Sequence, residues 1–376
     1  MRILELTNYT AGACGVGKRV LRESQMLSKK GHIVRIFSSN HIKGKSEICP
    51  RTEKIKSVQI NRFPAIKLGG EGFLSWNFNE EAKKFNPDII IAHSYRQLHT
   101  TKALKLAGKL KVPCLLVTHA PFEREKSRTF IQNIIVEFYD IFIGKKKIAK
   151  FDMVLAITPW ERKHIINLGV PESKIFYSPN GVSEEFFKNS KNNSKLSILY
   201  SGRISPIKNL EVLVNSMPLV NKNASLLIYG PAENVYLEKL NGIIKKQNLQ
   251  NKVSIVNKEY DLKDQLKLLD NAEIFVLPSK SEGMPQALIE AMARGKIVLG
   301  SDISSIKSIV HNGKNGFTFR QGDSKDLADK LNLVFSMKNS QRDKIRKEAT
   351  SSVKRFKWPL IIEDIENLLI KLTNKT

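Results

Sequence analysis

A chain of 376 residues, 41% hydrophobic and 26% charged, is too long for one ordinary core and suits two soluble domains. Three widely spaced cysteines, Cys14, Cys49 and Cys114, offer no disulfide framework or zinc knuckle, and no apolar run approaches the roughly 18 residues of a membrane span. The formal charge of +26 draws polyanions such as nucleic acid, anionic lipid or phosphorylated substrates, and a solvated lysine-rich surface would also account for it.

Strand-like runs alternate with helical patterns from the first residue. They fall at Ile3–Leu6, Ile33–Phe37, Val58–Arg62, Ile89–Ala92, Leu115–Thr118, Met153–Ile157 and Ile175–Tyr177, with helices such as Arg19–Lys30 and Thr101–Lys109 between them. Near-continuous apolar strands separated by helices predict a parallel sheet covered on both faces. The polar, Asn- and Ser-rich stretch from Glu184 onward reads as a linker, which sets a first domain over 1–183, a linker over 184–196 and a second domain over 197–355. A second series of strands follows at Ser197–Tyr200, Leu226–Tyr229, Val253–Val256, Ile274–Leu277, Ile297–Gly300 and Gly316–Phe319. A basic amphipathic helix closes the chain at about 356–372 and is expected to pack back on the first domain. Two doubly wound sheets joined in this way predict a cleft, with ligands beyond the carboxyl ends of the strands.

Two constellations carry chemistry. In the first, Ser281–Ala293, Pro285 suits the first turn of a helix, so the backbone of Gly283, Met284 and Pro285 would present N–H groups to an anion or a sugar hydroxyl. Glu282 precedes that turn and Glu290 lies two turns in; carboxylates accept hydrogen bonds from paired hydroxyls, so ribose or hexose is a natural partner. The structural alternative has Glu282 decorating a helix start and Glu290 paired with a lysine. In the second constellation, Arg203 and Lys208 emerge after a strand and the turn residue Gly202; two cations beside a helix start suit a pyrophosphate, or form a solvated pair.

Near the start, Gly12–Lys18 fits the phosphate-loop pattern, but Arg19 stands where Ser or Thr would hold magnesium, and no aspartate-bearing partner motif supports an NTPase. No Asp-x-Asp pair occurs in the chain, which suits a metal-independent site.

Together the motifs resemble the retaining glycosyltransferase family 4, of the GT-B architecture: two Rossmann-like doubly wound domains facing a cleft. Ser178–Val182, Asn312–Phe317 and Phe356–Trp358 match further stretches of that family, so the resemblance runs from the start of the chain to about Leu369. It implies an enzyme that moves a hexose-type sugar from a UDP- or GDP-linked donor to a glycan or lipid-linked acceptor, with retention at the anomeric carbon and no cofactor. It further implies that Arg203 and Lys208 hold the donor diphosphate, Glu290 the ribose, and Glu282 with Gly283–Pro285 the transferred sugar. His119 matches the family's cleft histidine, and Gly15 and Gly17 its glycine-rich turn. Lys296 and the turn Tyr229–Ala232 depart from the family pattern and leave base selectivity open.

Segment Thr129–Lys150 places apolar groups at helical spacing and ends in Lys145, Lys146 and Lys147, and the loop Gly69–Trp76 carries aromatics that could be exposed. Two readings stay open: peripheral contact with an anionic membrane, or a core-facing helix with a solvated end. A cytoplasmic location, at the inner membrane face in the first case, follows from the absence of a signal peptide pattern. A nucleic-acid binder is the rival class; zinc spacing, RNP-like aromatics and a helix-turn-helix are all missing, so no nucleic-acid partner is expected. A nucleotide-sugar epimerase or phosphorylase of the same architecture is the rival enzyme.

Overall fold

The computed structural model describes residues 1–12, 14–69, 73–119, 122, 130–188, 196–220 and 223–374. These fall into two compact units, the first drawing on residues up to Gly181 and from Pro359 onward, the second on Val182–Trp358.

The first unit is built on an eight-stranded sheet. In chain order its strands are β1 (Arg2–Leu6), β2 (Ile33–Ser39), β3 (Thr52–Ile55) and β4 (Val58–Phe63); a separate hairpin supplies β5 (Ala65–Gly69) and β6 (Phe73–Trp76) before β7 (Ile89–His93), β8 (Cys114–Val117), β9 (Met153–Ala156) and β10 (Ile175–Tyr177). The sheet order is β10-β9-β8-β7-β1-β2-β4-β3, parallel throughout except for the β3–β4 pair. The second unit holds β11 (Leu196–Ser201), β12 (Leu226–Tyr229), β13 (Val253–Val256), β14 (Ala272–Leu277), β15 (Ile297–Ser301) and β16 (Phe317–Phe319), all parallel, in the order β13-β12-β11-β14-β15-β16. Relabelled within that unit, the order is 3-2-1-4-5-6, the doubly wound arrangement. Chain direction across the sheet reverses between β11 and β14, and in the first unit between β1 and β7. At such a switch point the flanking connections part to opposite faces, leaving a crevice at the strands' carboxyl ends.

The apolar runs become strands because covering helices bury them on both faces. Every residue of β7, β8 and β15 is buried. The polar edge strand β3 and the hairpin β5–β6 lie outside the apolar pattern. The loop expected at Gly69–Trp76 proves to be largely that hairpin, with Gly70, Glu71 and Gly72 outside the described residues. Trp76 is buried, not exposed: its ring stacks on Phe63 with centroids 5.8 Å apart and its Nε1 donates to Asn8 Oδ1 at 3.2 Å.

Two further expectations are corrected. The helix placed at Arg19–Lys30 starts at Gly15, because Gly17 sits where a Cβ would lie 2.4 Å from the Tyr9 carbonyl; glycine's low helix propensity conceals a turn that close packing requires. The expected linker from Glu184 begins as an ordered 3₁₀ turn of the second unit, Glu184–Phe187. Phe186 is buried there, and the carbonyls of Glu185 and Lys188 accept from Arg294 at 3.1 and 2.7 Å. The rest of the linker, 189–195, lies outside the described residues.

Helix Trp358–Thr373 closes the chain within the first unit, where Glu366 pairs with Lys30 and with His32 Nε2 at 2.8 Å. The three cysteines are free, with Cys14 and Cys114 buried. No helix among the described residues is long and apolar enough to cross a membrane.

Candidate active site

In the second unit the expected residues gather at the switch point. Lys208 follows β11 in the 3₁₀ turn Pro206–Lys208, and Glu282 follows β14, its neighbour in the sheet. Lys208 Nζ donates to Glu282 Oε1 at 2.6 Å, and the same oxygen accepts from Ser279 Oγ at 2.6 Å. The backbone secures this contact, since Lys280 N donates to the Ile207 carbonyl at 2.8 Å. Arg203 is more exposed and reaches Glu233, 3.9 Å away.

Glu290 stands inside helix Gln286–Ala293, where its carboxylate accepts from Gln265 and Gln286. Pro285 is the N-cap of that helix, one position earlier than expected: the Gln286 N–H turns back to the Met284 carbonyl at 2.8 Å, so regular helix begins after the proline. Gly283 and Met284 form the bend before it, and Met284 is buried.

Two tyrosines not anticipated from the sequence, buried Tyr200 and half-buried Tyr260, line this region. Burial, reinforced by the Glu282 carboxylate, pushes the Tyr200 phenol well above its usual range, and its hydroxyl donates to the Arg203 carbonyl at 2.7 Å. Burial also raises Tyr260, opposed by Ser201 and assisted by Glu290. Glu282 and Glu290 therefore act on neighbouring phenols that stay protonated and able to donate. The variant turn Tyr229–Ala232 packs against the turn holding Arg203: a Cβ on Gly230 would lie 2.1 Å from the Gly202 carbonyl oxygen, and Ile204 N donates to the Pro231 carbonyl at 2.8 Å. Only glycine permits that approach.

In the first unit His119 follows β8 in a left-handed conformation (φ +45°), strained for a residue with a Cβ. Its Nε2 lies 3.2 Å from His93 Nδ1, and His93 Nε2 lies 2.6 Å from Glu5 Oε2. Glu5, His93 and His119 thus form a line across β1, β7 and β8 at that unit's switch point. Burial pushes the Glu5 carboxyl up to about 8, against the opposing influence of Arg19 and Ser24. Burial holds His93 down at about 3 and His119 well below the usual imidazole range. At neutral pH the line is uncharged: protonated Glu5 donates to His93, His93 donates through Nδ1 to His119 Nε2, and His119 keeps its own proton on Nδ1. Ionising Glu5 reverses each donor, so one buried carboxyl sets the tautomer of His119. Because its pKa is raised, Glu5 contributes stability that is full below about 4.5 and lost as pH rises through about 8. Glu5→Gln, which keeps the neutral donor, should therefore gain stability relative to wild type between pH 5 and 8.5, read from urea midpoints; parallel curves would refute it.

Gly15 and Gly17 open helix Gly15–Lys29, whose N-cap Cys14 accepts from Gly17 N through its sulfur at 3.4 Å. Arg19, the residue that broke the phosphate-loop pattern, is buried. It donates to the Ser178 carbonyl and hydroxyl at 2.8 Å each, to Asn180 Oδ1 at 3.0 Å and to Glu23 at 3.2 Å. The stretch Ser178–Val182 is a structural anchor in its other half as well: Val182 N donates to the Phe356 carbonyl at 2.7 Å and Trp358 N to that of Val182 at 3.2 Å. Lys296, a departure from the family pattern, is buried, and burial pulls its ammonium down to about 8 against the opposing charge of Asp270.

The comparisons with known proteins agree with this architecture. Residues 182–352 match the glycosyl transferases group 1 family and residues 13–186 the glycosyltransferase family 4 domain. The chain belongs to the family 4 glycosyltransferases. It is 25% identical over 305 residues to the capsular polysaccharide biosynthesis glycosyltransferase CapM of Staphylococcus aureus, covering 74% of this chain and 78% of CapM. It is 23% identical to the D-inositol 3-phosphate glycosyltransferase of Nocardia farcinica, covering 93% and 83% of the two chains. Among solved structures, the sucrose-phosphate synthase of Thermosynechococcus elongatus superposes with a TM-score of 0.79 at 17% identity over the whole of both chains. Anabaena HepE, solved with UDP and glucose, superposes with a TM-score of 0.75 at 18% identity over 99% of this chain and 100% of its own. This glycosyltransferase therefore has the GT-B fold, with its two Rossmann-like units.

Proposed function

We propose that this glycosyltransferase transfers a hexose from a UDP- or GDP-sugar to a glycan or lipid-linked acceptor, with retention at the anomeric carbon. The observation that carries the reading is the Lys208–Glu282 contact at the switch point between β11 and β14, with Arg203 and Glu290 on the connections of the same two strands. A departing diphosphate gathers negative charge in the transition state, and Lys208 and Arg203 are placed to receive it, so the reaction needs no metal. When the diphosphate takes Lys208, Glu282 is released from its cation and can accept hydrogen bonds from the transferred sugar's hydroxyls. Glu290 takes the ribose. Oxygen from the acceptor then forms the new bond to the anomeric carbon as the bond to the diphosphate breaks, and the acceptor's proton passes to the leaving phosphate.

Two relatives support the donor and acceptor classes. HepE was solved with UDP and glucose, and one relative, 27% identical over 51% of this chain, is an N-acetylgalactosaminyltransferase of Campylobacter jejuni acting on a diphospho-undecaprenol sugar. The test is release of nucleotide diphosphate from UDP- and GDP-sugars, with and without lipid-linked acceptor, in EDTA. Acceptor-dependent release unaffected by EDTA is the expected result. Interconversion of the donor sugar without release would make the enzyme an epimerase, and loss of activity in EDTA would overturn metal independence.

A further inference from the structure

We propose that the helical segment Phe130–Ile148 of the first unit is a docking face for an anionic lipid bilayer. The segment runs as an α-helix to Tyr139, a π-turn over Asp140–Gly144 and a final α-turn over Lys145–Ile148. Ile131, Ile134, Ile135, Phe138, Ile141 and Phe142 recur at helical spacing on one side, and all are exposed, from 45% at Ile134 to 68% at Ile131. The core-facing reading of this segment is thereby corrected.

The opposite side explains the orientation. Asp140 accepts from Arg96 Nε at 2.9 Å and from the Tyr95 hydroxyl at 3.0 Å. The backbone at Gly144 lies so close to Tyr95 that a Cβ would clash with its hydroxyl, and Ile148 is fully buried. The side bearing Asp140, Gly144 and Ile148 is thus seated on the protein while the longer apolar row faces outward, the reverse of an ordinary surface helix. The π-turn coincides with the Asp140 and Gly144 contacts to Tyr95, and the rings of Phe138 and Phe142 lie 4.3 Å apart on the outer face.

A contiguous apolar row of this length, left in water, forgoes the stabilisation that a partner covering it would supply. Charge identifies the partner. Exposed Lys145 and Lys146 adjoin the row, with Lys147 and Lys150 beside them, and basic groups at such a place are attracted to an anionic leaflet. A second copy of a chain carrying +26 would bring like charge to the same place. An interfacial helix, apolar side down and lysines at the headgroups, satisfies both features. The inference rests on the proposed function only in that a lipid-linked acceptor gives the docking a purpose.

The test is co-sedimentation of the full chain with phosphatidylcholine vesicles, with and without phosphatidylglycerol, at low and high salt. Binding only to the anionic vesicles, weakened by salt, is expected, and Ile135→Asp/Phe138→Asp should lower it by about tenfold or more while leaving donor turnover with a soluble acceptor unchanged. Lys145→Gln/Lys146→Gln should remove part of the salt-sensitive binding. Absence of binding by the wild type, or equal binding by the aspartate variant, would overturn the proposal. A wild-type dimer in gel filtration that the aspartate variant dissociates would do the same, by showing the face to be a subunit contact. Diphosphate release without vesicle binding would sink the docking face alone, whereas vesicle binding without release would sink only the transfer reading.

Discussion

Lys208→Ala is expected to lower turnover by about 10²-fold or more, the loss typical of removing a preorganised partner of transition-state charge. The local geometry makes this the severest single change at the site. Lys208 and Glu282 are largely shielded, at 19% and 11% side-chain exposure, so deleting the ammonium removes a cation and also leaves a carboxylate facing the place proposed for the diphosphate. Arg203→Ala should also cost about 10²-fold, through the first effect only, because Arg203 is 44% exposed and its nearest carboxylate, Glu233, lies at 3.9 Å. The two losses are distinguishable by adding Glu282→Gln. In the Lys208→Ala background it removes the stranded negative charge and should restore donor affinity, though not the rate, and such non-additivity identifies a directly coupled pair. Initial rates of diphosphate release across donor concentrations provide both readouts. Wild-type rates in Lys208→Ala and Arg203→Ala would defeat the assignment.

Arg19→Met should destabilise the first unit by about 3–5 kcal/mol, the usual cost of breaking a buried ion pair from one side. Four hydrogen bonds to Ser178, Asn180 and Glu23 vanish together, and Glu23, fully buried, loses its cation. Burial and nearby Glu5 already raise the Glu23 carboxyl, and Arg19 opposes them, so its removal should raise that group further. A carboxyl raised in the folded state loses its stabilising contribution as pH increases, so the variant should suffer more at pH 8 than at pH 5. Adding Glu23→Leu should recover part of the loss, since no buried charge then lacks a partner. Urea unfolding of the single and double variants at both pH values measures this, and a loss below about 1 kcal/mol would show that Arg19 is not the anchor its contacts imply.

The alternation of apolar runs and helical patterns was enough to specify two parallel sheets, because the central runs are buried on both faces and need no distant partner to be recognised. The charged cluster after β11 and β14 was legible for a related reason. Arg203, Lys208 and Glu282 each sit a few residues beyond a strand end and Glu290 in the helix that follows β14, so local spacing already places them at the carboxyl end of one sheet. The long-range partnerships were not legible. Glu5 and His93 are 88 residues apart, His93 and His119 are 26 apart, and Arg19 meets Ser178 across 159. No local pattern ties a buried acid to those imidazoles, and in the sequence Arg19 registers only as a broken motif.

Helix Phe130–Tyr139 marks the boundary most clearly. Its periodicity declares one apolar side, but periodicity is blind to which side meets the protein. That was decided by Asp140, Gly144 and Ile148 seating against the first unit, with Tyr95 and Arg96 receiving the first two. Sequence alone therefore determined which apolar runs form strands of the two main sheets and which of those strand ends carry charge. Tertiary structure decided which charges meet, which stay neutral and which apolar surface remains uncovered, because burial and contact depend on neighbours that the chain brings together only by folding.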